Sequence, residues 1–216
     1  MNQSILENLI HVGPLVTLGV FACAISIERF FALFTAYPLR NAEQFFEAIQ
    51  TMINDNKVSE ALALCDRRQK SPAAQVVREG ILRINQTEDV IENGLGMAVS
   101  EAQERIQKRT GYLATIANVA TLMGLFGTVL GLVRSFEAIG GASAQQRSAL
   151  LASGISTAMN ATLLGLGVAI PCLLVYAIYA NQTNRLNKEL EKSAMKILDL
   201  IKMKFYNQNA PVKKVG

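Results

Sequence analysis

The sequence predicts an all-α membrane protein, with three transmembrane helices carrying long helical extensions into the cytoplasm. Three observations predict it. Half of the 216 residues are hydrophobic, only 18% are charged, and the charges are missing from long blocks. Three of these blocks, residues 12–34, 112–136 and 155–180, each supply the roughly 20 apolar residues of helix that a hydrocarbon core about 30 Å thick requires. Elsewhere apolar residues recur at three- and four-residue spacing, and nothing resembles a strand run or a hairpin turn.

Residues 1–11 form an N-terminal stub that carries Glu7 and no Lys or Arg. It lacks the basic region of a cleavable signal, so the span that follows is expected to be retained. Glu28 and Arg29 lie about 24 Å along that span, within snorkelling reach of its inner boundary, and the lone His11 is expected to anchor the other end. Residues 35–111 hold ten of the 21 basic residues and the segment 181–216 holds eight, whereas 137–154 holds only Arg147. By the positive-inside rule 35–111 is a cytoplasmic domain and 181–216 a cytoplasmic helix and tail. The stub and the short loop 137–154 then lie in the periplasm. The net charge of +4 and pI of 9.0 follow from this asymmetry and call for no nucleic acid, since no basic stripe with interleaved aromatics is present. Cys23, Cys65 and Cys172 show no metal or redox spacing and are expected to be packing residues.

Within the cytoplasmic domain "NAEQFFEAIQTMI" and "KVSEALALCDRR" are helical, and "SPAAQVVREGILRI" starts with Ser71 as cap and Pro72 at the first helical position. Thr87, followed by Glu88 and Asp89, caps another start. No proline interrupts the chain from there to Pro171, which predicts one helix of about fifty residues, ~75 Å long, entering the second span. Past the third span Leu186, Leu190, Ala194, Ile197, Ile201 and Phe205 make an apolar stripe that needs the loop helices or other copies as partners. The last residues, "NQNAPVKKVG", are expected to be a loose tail.

The second span contains "GLFGTVLG", three glycines and a threonine in eight residues. On a helical wheel Thr121, Gly124, Gly131 and Ser135 lie within about 60° of Thr128, and Gly127 with Gly131 makes a GxxxG. Ile155, Ala158, Gly165, Ala169 and Tyr176 share the face of Thr162 in the third span. Small residues let helix backbones approach where lipid supplies no hydrophobic drive, so close packing explains the glycines. The hydroxyls have two readings: a bond to their own backbone, or a shared role, because Thr128 and Thr162 both sit about 11 Å below the outer surface. Asn160, with Ser153 and Thr157, lies on the opposite side of its helix and needs a polar neighbour there, which would enclose the third span on both sides as in a ring of subunits. No Asp, Glu or His lies deep in the spans, so an ion pathway would need its titrating acid from another chain. No P-loop, dinucleotide fingerprint or zinc motif occurs, which argues against an enzyme and leaves no cofactor or metal site to predict.

"GLFGTVLGLVRSF" followed by "GISTAMNATLLGLGVAIPCLLVY" resembles the paired signature of the MotA/TolQ/ExbB proton-channel family, and "ERFFAL" and "SPAAQVVREG" are similar to its other segments. Three spans fit the ExbB and TolQ branch. The resemblance implies a multi-pass protein of the bacterial inner membrane, a homo-oligomeric ring, five subunits in the better-known cases, around the helices of an ExbD- or TolR-like protein. That single-span partner carries a membrane aspartate. It further implies work on a TonB- or TolA-like protein, and motility machines of the gliding type share the design. Thr128 and Thr162 match the threonines that face the partner aspartate, and Gly127, Gly131, Ala161 and Gly165 match their small neighbours. Gly124, Ala158 and Ala169 extend that small pore-facing surface, Thr121 and Ser135 are candidate polar groups along the path, and Arg134 and Glu137 are candidate charges at the outer entrance. Few hard oxygen ligands line this face, which favours a proton over sodium. The rival readings are a non-conducting scaffold, which predicts that valine replaces either threonine without loss, and a transporter, against which stands the absence of inverted repeats.

Overall fold

The structure, a computed structural model, describes residues 2–39, 41–141 and 143–209, with side chains described from residue 13 to residue 206. The side chain of His11 and the tail 210–216 lie outside the described residues. The helices are α1 (Asn2–Phe31), α2 (Ala42–Asn54), α3 (Val58–Asp66), α4 (Pro72–Leu82), α5 (Glu88–Gln107), α6 (Thr110–Gly140) and α7 (Ala144–Asn209), with a five-residue π-helical turn, Ala32–Ala36, directly after α1. No strand occurs among the described residues. Three helical stretches are long and apolar enough to cross a membrane.

Two features depart from the expected outline. The helix expected from Thr87 through the second span is broken at Lys108–Arg109, where Arg109 takes a left-handed backbone with φ 66°. No glycine or proline marks the break; the side chain of Arg109 holds it by binding both oxygens of Glu28 at 2.5 and 2.6 Å. The expected loop 137–154 is nearly all helix, and only residues 141–143 separate α6 from α7. Ser143 accepts the first amides of α7, from Gln146 and Arg147, on its carbonyl oxygen, and its hydroxyl donates to Gln146 Oε1 at 3.1 Å.

The chain divides into two units. The first, residues 1–29 and 109–180, packs α1, α6 and the first half of α7. Much of its interior is small: Ala22, Ala117, Ala120, Gly124, Ala158, Gly165 and Ala169 are buried. Leu15, Ile25, Leu113 and Ile116 are buried with them, whereas other large apolar side chains point outward, with Phe21, Leu122, Phe126, Leu163 and Leu174 more than 60% exposed. This arrangement suits lipid, where bulky side chains lose nothing outside and small ones allow contact inside. Tyr179 donates its hydroxyl to the Ser26 carbonyl at 2.7 Å, tying α7 to α1. Arg29, expected to snorkel, is instead only 3% exposed, with Nη2 3.7 Å from Glu28 Oε1.

The second unit, residues 30–108 and 181–216, packs α2–α5 around the remainder of α7 with an ordinary apolar core. Phe45, Ile49, Ile53, Val77, Ile81 and Ile91 are buried there, together with Leu186, Leu190, Ile197 and Ile201 from the α7 stripe. Each such side chain contributes about 1.5–3 kcal/mol. The loop helices thus cover most of the stripe, and Phe205, at its end, is left partly exposed. Gly80 packs closely where α4 crosses α7, since a Cβ there would stand 3.1 Å from side-chain atoms of Ile197 and Leu95. Polar contacts finish the wrap: Glu189 accepts the Leu39 amide at 3.1 Å, Gln182 donates to the Leu33 carbonyl at 3.2 Å, and Lys202 pairs with Glu88 at 2.6 Å. Ser71 and Thr87 occupy the expected N-cap positions of α4 and α5, but neither hydroxyl makes the capping bond.

Candidate functional site

The small residues of the two late spans meet along one seam between α6 and α7 of the same chain. A Cβ added to Gly124 would stand 3.2 Å from the Gly165 Cα and 3.3 Å from the Thr162 Cα. One added to Gly165 would stand 2.7 Å from the Ala120 carbonyl oxygen and 2.9 Å from the Gly124 Cα. Gly127 meets Ala161 and Gly131 meets Ala158 in the same way, at 2.6 and 3.0 Å. Further out the side chain of Ser135 rests on Gly154, and its hydroxyl donates back to the Gly131 carbonyl at 2.6 Å. The helices run antiparallel, because the partners descend along α7 as they rise along α6. Of the small residues singled out in the sequence, Gly124, Gly127, Gly131, Ala158, Ala161 and Gly165 therefore make this internal seam. Ala169 is buried two turns further along α7 from Thr162.

Both threonines border the seam. Thr128 is about 40° round α6 from Gly124, and Thr162 about 100° round α7 from Ala161. In an antiparallel pair of right-handed helices these two rotations bring the side chains to the same side. Both are half-buried. Thr128 Oγ1 donates to the Leu125 carbonyl of its own helix at 2.6 Å. Thr162 Oγ1 donates across the seam to the Gly124 carbonyl at 3.5 Å, the outer limit of a hydrogen bond. The two hydroxyls thus differ chemically. Thr128 has committed its proton and offers lone pairs, whereas Thr162 holds its proton loosely and can redirect it. Thr121 donates to its own helix, to Ala117 O at 3.0 Å. Arg134 and Glu137 are exposed at the end of α6 nearest the α6–α7 turn.

The electrostatic setting is defined by what this stretch lacks. Residues 112–133 and 148–184 contain no Asp, Glu, His, Lys or Arg. Among the described residues no cluster of His, Cys, Asp or Glu could hold a metal ion. Glu28, bound to Arg109 and flanked by Arg29, belongs to a different level of α1. The site can therefore hold a carboxyl group brought to it in either protonation state, accepting from a protonated acid through Thr128 and donating to an ionised one through Thr162. It has no titrating group of its own.

The model of the MotA/TolQ/ExbB proton channel family matches residues 68–192, which include both threonines and the whole seam. The chain is 28% identical over 201 residues to the Tol-Pal system protein TolQ of Haemophilus influenzae, covering 88% of this chain and 86% of that protein. It is 36% identical over 135 residues to the biopolymer transport protein ExbB of Salmonella typhimurium, 53% of each chain. A second TolQ, from Pseudomonas aeruginosa, is 31% identical over 121 residues, 56% of this chain and 47% of that one.

Proposed function

Because the chain belongs to the MotA/TolQ/ExbB proton channel family, we propose that it is the ring-forming subunit of an inner-membrane motor that turns proton-motive force into mechanical work. In this reading its copies form a homo-oligomeric ring, five-fold as in the better-known cases. The ring surrounds the span of an ExbD- or TolR-like partner, whose membrane aspartate meets the Thr128 and Thr162 edge. The N-terminus lies in the periplasm and the C-terminus in the cytoplasm, as the distribution of Lys and Arg supports. A proton from the periplasmic side neutralises the aspartate, whose O–H then donates to Thr128. The neutral helix moves past the ring, and the ionised form, after release to the cytoplasm, is met by Thr162. One elementary charge crossing the membrane supplies about 2.3 kcal/mol per 100 mV, so a few protons per step suffice for force on a periplasmic protein. The system it works on is of the Tol-Pal or the TonB type, the two types of machine its TolQ and ExbB relatives point to.

The observation that carries the proposal is the pairing of two hydroxyls on one side of the seam within spans that hold no acid of their own. Its test is proton flux into vesicles containing this protein and its single-span partner. Thr128→Val and Thr162→Val should each lower flux at matched ring assembly. Undiminished flux in an intact ring would reduce both threonines to packing residues and favour the scaffold reading.

A further inference from the structure

The side of the seam that carries the threonines is not the same above and below them. Thr128 stands about 12 Å from the end of the second span at Phe136 and about 24 Å from the end at Tyr112. In the shorter half, towards the α6–α7 turn, this side presents Leu132, about 40° round from Thr128, and Ile155, about 20° round from Thr162; both are exposed. In the longer half Thr121 and Asn118 lie within about 80° of Thr128, about 10 and 15 Å deeper along α6. On α7 Leu166 and Leu173 face the same way, followed by Tyr176, about 40° round from Thr162 and about 21 Å deeper. The polar line thus runs down α6 and ends beside Tyr176.

Its groups want hydrogen bonds that the chain does not give them. Asn118 is the one amide between residues 112 and 133, and it is exposed. Neither its side chain nor the Tyr176 hydroxyl has a hydrogen-bond partner among the described residues. Thr121 has given its proton to the Ala117 carbonyl and keeps its oxygen as an acceptor. Thr110, five turns inward of Thr128 on the same side of α6, is 5% exposed, and its hydroxyl is buried without a partner. An unbonded amide against hydrocarbon and an unbonded buried hydroxyl are both costly. Water, which donates and accepts, satisfies each of them.

We infer that the longer half is a hydrated exit for the proton, its water held by Thr121, Asn118 and Tyr176, while Leu132 and Ile155 keep the shorter half dry. This rests on the motor reading given above. The partner's carboxyl gives its proton to the first water of the line and is left ionised beside Thr162. Each water then passes one proton on, and the last delivers one to the bulk. Asn118 and Tyr176 order this water and take up no net proton, so they are positioning residues.

The experiment uses vesicles that hold the full-length protein with its single-span partner. Asn118→Leu should lower proton flux about ten-fold, one net hydrogen bond expressed as a rate. Asn118→Ser, which still binds water, should keep flux near wild type, and Tyr176→Phe should lower it. A second readout does not depend on flux: Asn118→Cys and Leu132→Cys are treated with a membrane-impermeant methanethiosulfonate on the side of α2–α5, and peptide mass spectrometry follows the introduced thiol. Asn118→Cys should react about ten-fold faster, because the attacking species is a hydrated thiolate. Equal rates overturn the hydrated exit. So does full flux in Asn118→Leu where Thr128→Val lowers it, an outcome that leaves the motor reading standing. Full flux in both variants overturns the two readings together. Loss of ring assembly in Asn118→Leu with a protected Asn118→Cys would show that a second copy of the chain holds the amide, and overturns the exit as well.

Discussion

Replacing Gly165 with alanine tests whether the α6–α7 seam is as close as its geometry requires. The added Cβ would lie 2.7 Å from the Ala120 carbonyl oxygen and 2.9 Å from the Gly124 Cα, both backbone atoms that no side-chain rotation can move. Ordinary carbon contacts begin at about 3.5 Å, so the helices must separate by about 0.6 Å at this level. Overpacking of this kind costs about 1–3 kcal/mol. The separation also ends the Thr162 to Gly124 hydrogen bond, which at 3.5 Å has no length to spare. A glycine-to-alanine change in a helix brings its own gain of about 1 kcal/mol, so the reference must share it. Gly167, two residues on, is such a reference, because a Cβ there meets no atom within 4 Å among the described residues. Unfolding of both variants in mixed micelles of increasing SDS content, followed by far-ultraviolet circular dichroism, should place Gly165→Ala about 1–3 kcal/mol below Gly167→Ala. Equal stabilities would refute the close seam.

Four further outcomes are expected, all at the second unit or its border. Burial, and secondarily Asp66, pushes the Cys65 thiol from 9.0 up to about 12, so the unfolded chain releases this proton first as pH rises. Stability present below pH 9 should therefore fall between pH 9 and 12, by up to about 1.4 kcal/mol per pH unit more than in Cys65→Ala, as pH-resolved melts would record. Burial also raises Glu189, against the opposing pull of the Leu39 amide and then Arg185. Stability from this group is complete at low pH and declines as pH climbs from 4.5 through the raised value, so Glu189→Gln should flatten that decline while still accepting from Leu39. Glu189→Ala leaves a buried amide without its acceptor and should cost about 1–3 kcal/mol in denaturant titration. At the α5–α6 break both Arg109→Gly and Arg109→Ala lose the Glu28 pair, but only alanine keeps the left-handed penalty, so thermal melts should show glycine more stable by about 1 kcal/mol.

How far the sequence carried this far depends on the range of the force concerned. The three apolar helices and the α7 stripe were legible because hydropathy and a 3.6-residue period act within a single helix, and Leu190, Ile197 and Ile201 are buried as that period requires. The break at Arg109 was not legible, since what holds it is a carboxylate 81 residues earlier in the chain. The early start of α7 did have a local sign, a serine at 143 followed three residues later by Gln146, and reading 137–154 as a loop passed over it. For the candidate site the wheel groups Gly124, Thr128 and Gly131 as one face. What it could not resolve is that a single face serves two purposes, its middle touching α7 and its border carrying Thr128, because that division is made by Ala158, Ala161 and Gly165 on another helix.

Glycine and threonine then turn out to be parts of one device. Thr162 reaches the Gly124 carbonyl only because Gly124 and Gly165 bring the backbones within contact, so the looseness of that hydroxyl is a consequence of the packing. This separates the motor reading from a scaffold more sharply than removing a hydroxyl does. A scaffold needs the seam for stability alone, and Gly165→Ala at a temperature where it remains folded should leave its assembly intact. In the proposed motor the same variant keeps both hydroxyls and still shifts Thr162 by about 0.6 Å relative to Thr128, enough to disturb a carboxyl group shared between them. Proton flux in Gly165→Ala should therefore drop although no oxygen has been removed. Flux equal to wild type in that variant would mean the two hydroxyls act independently of the seam that positions them.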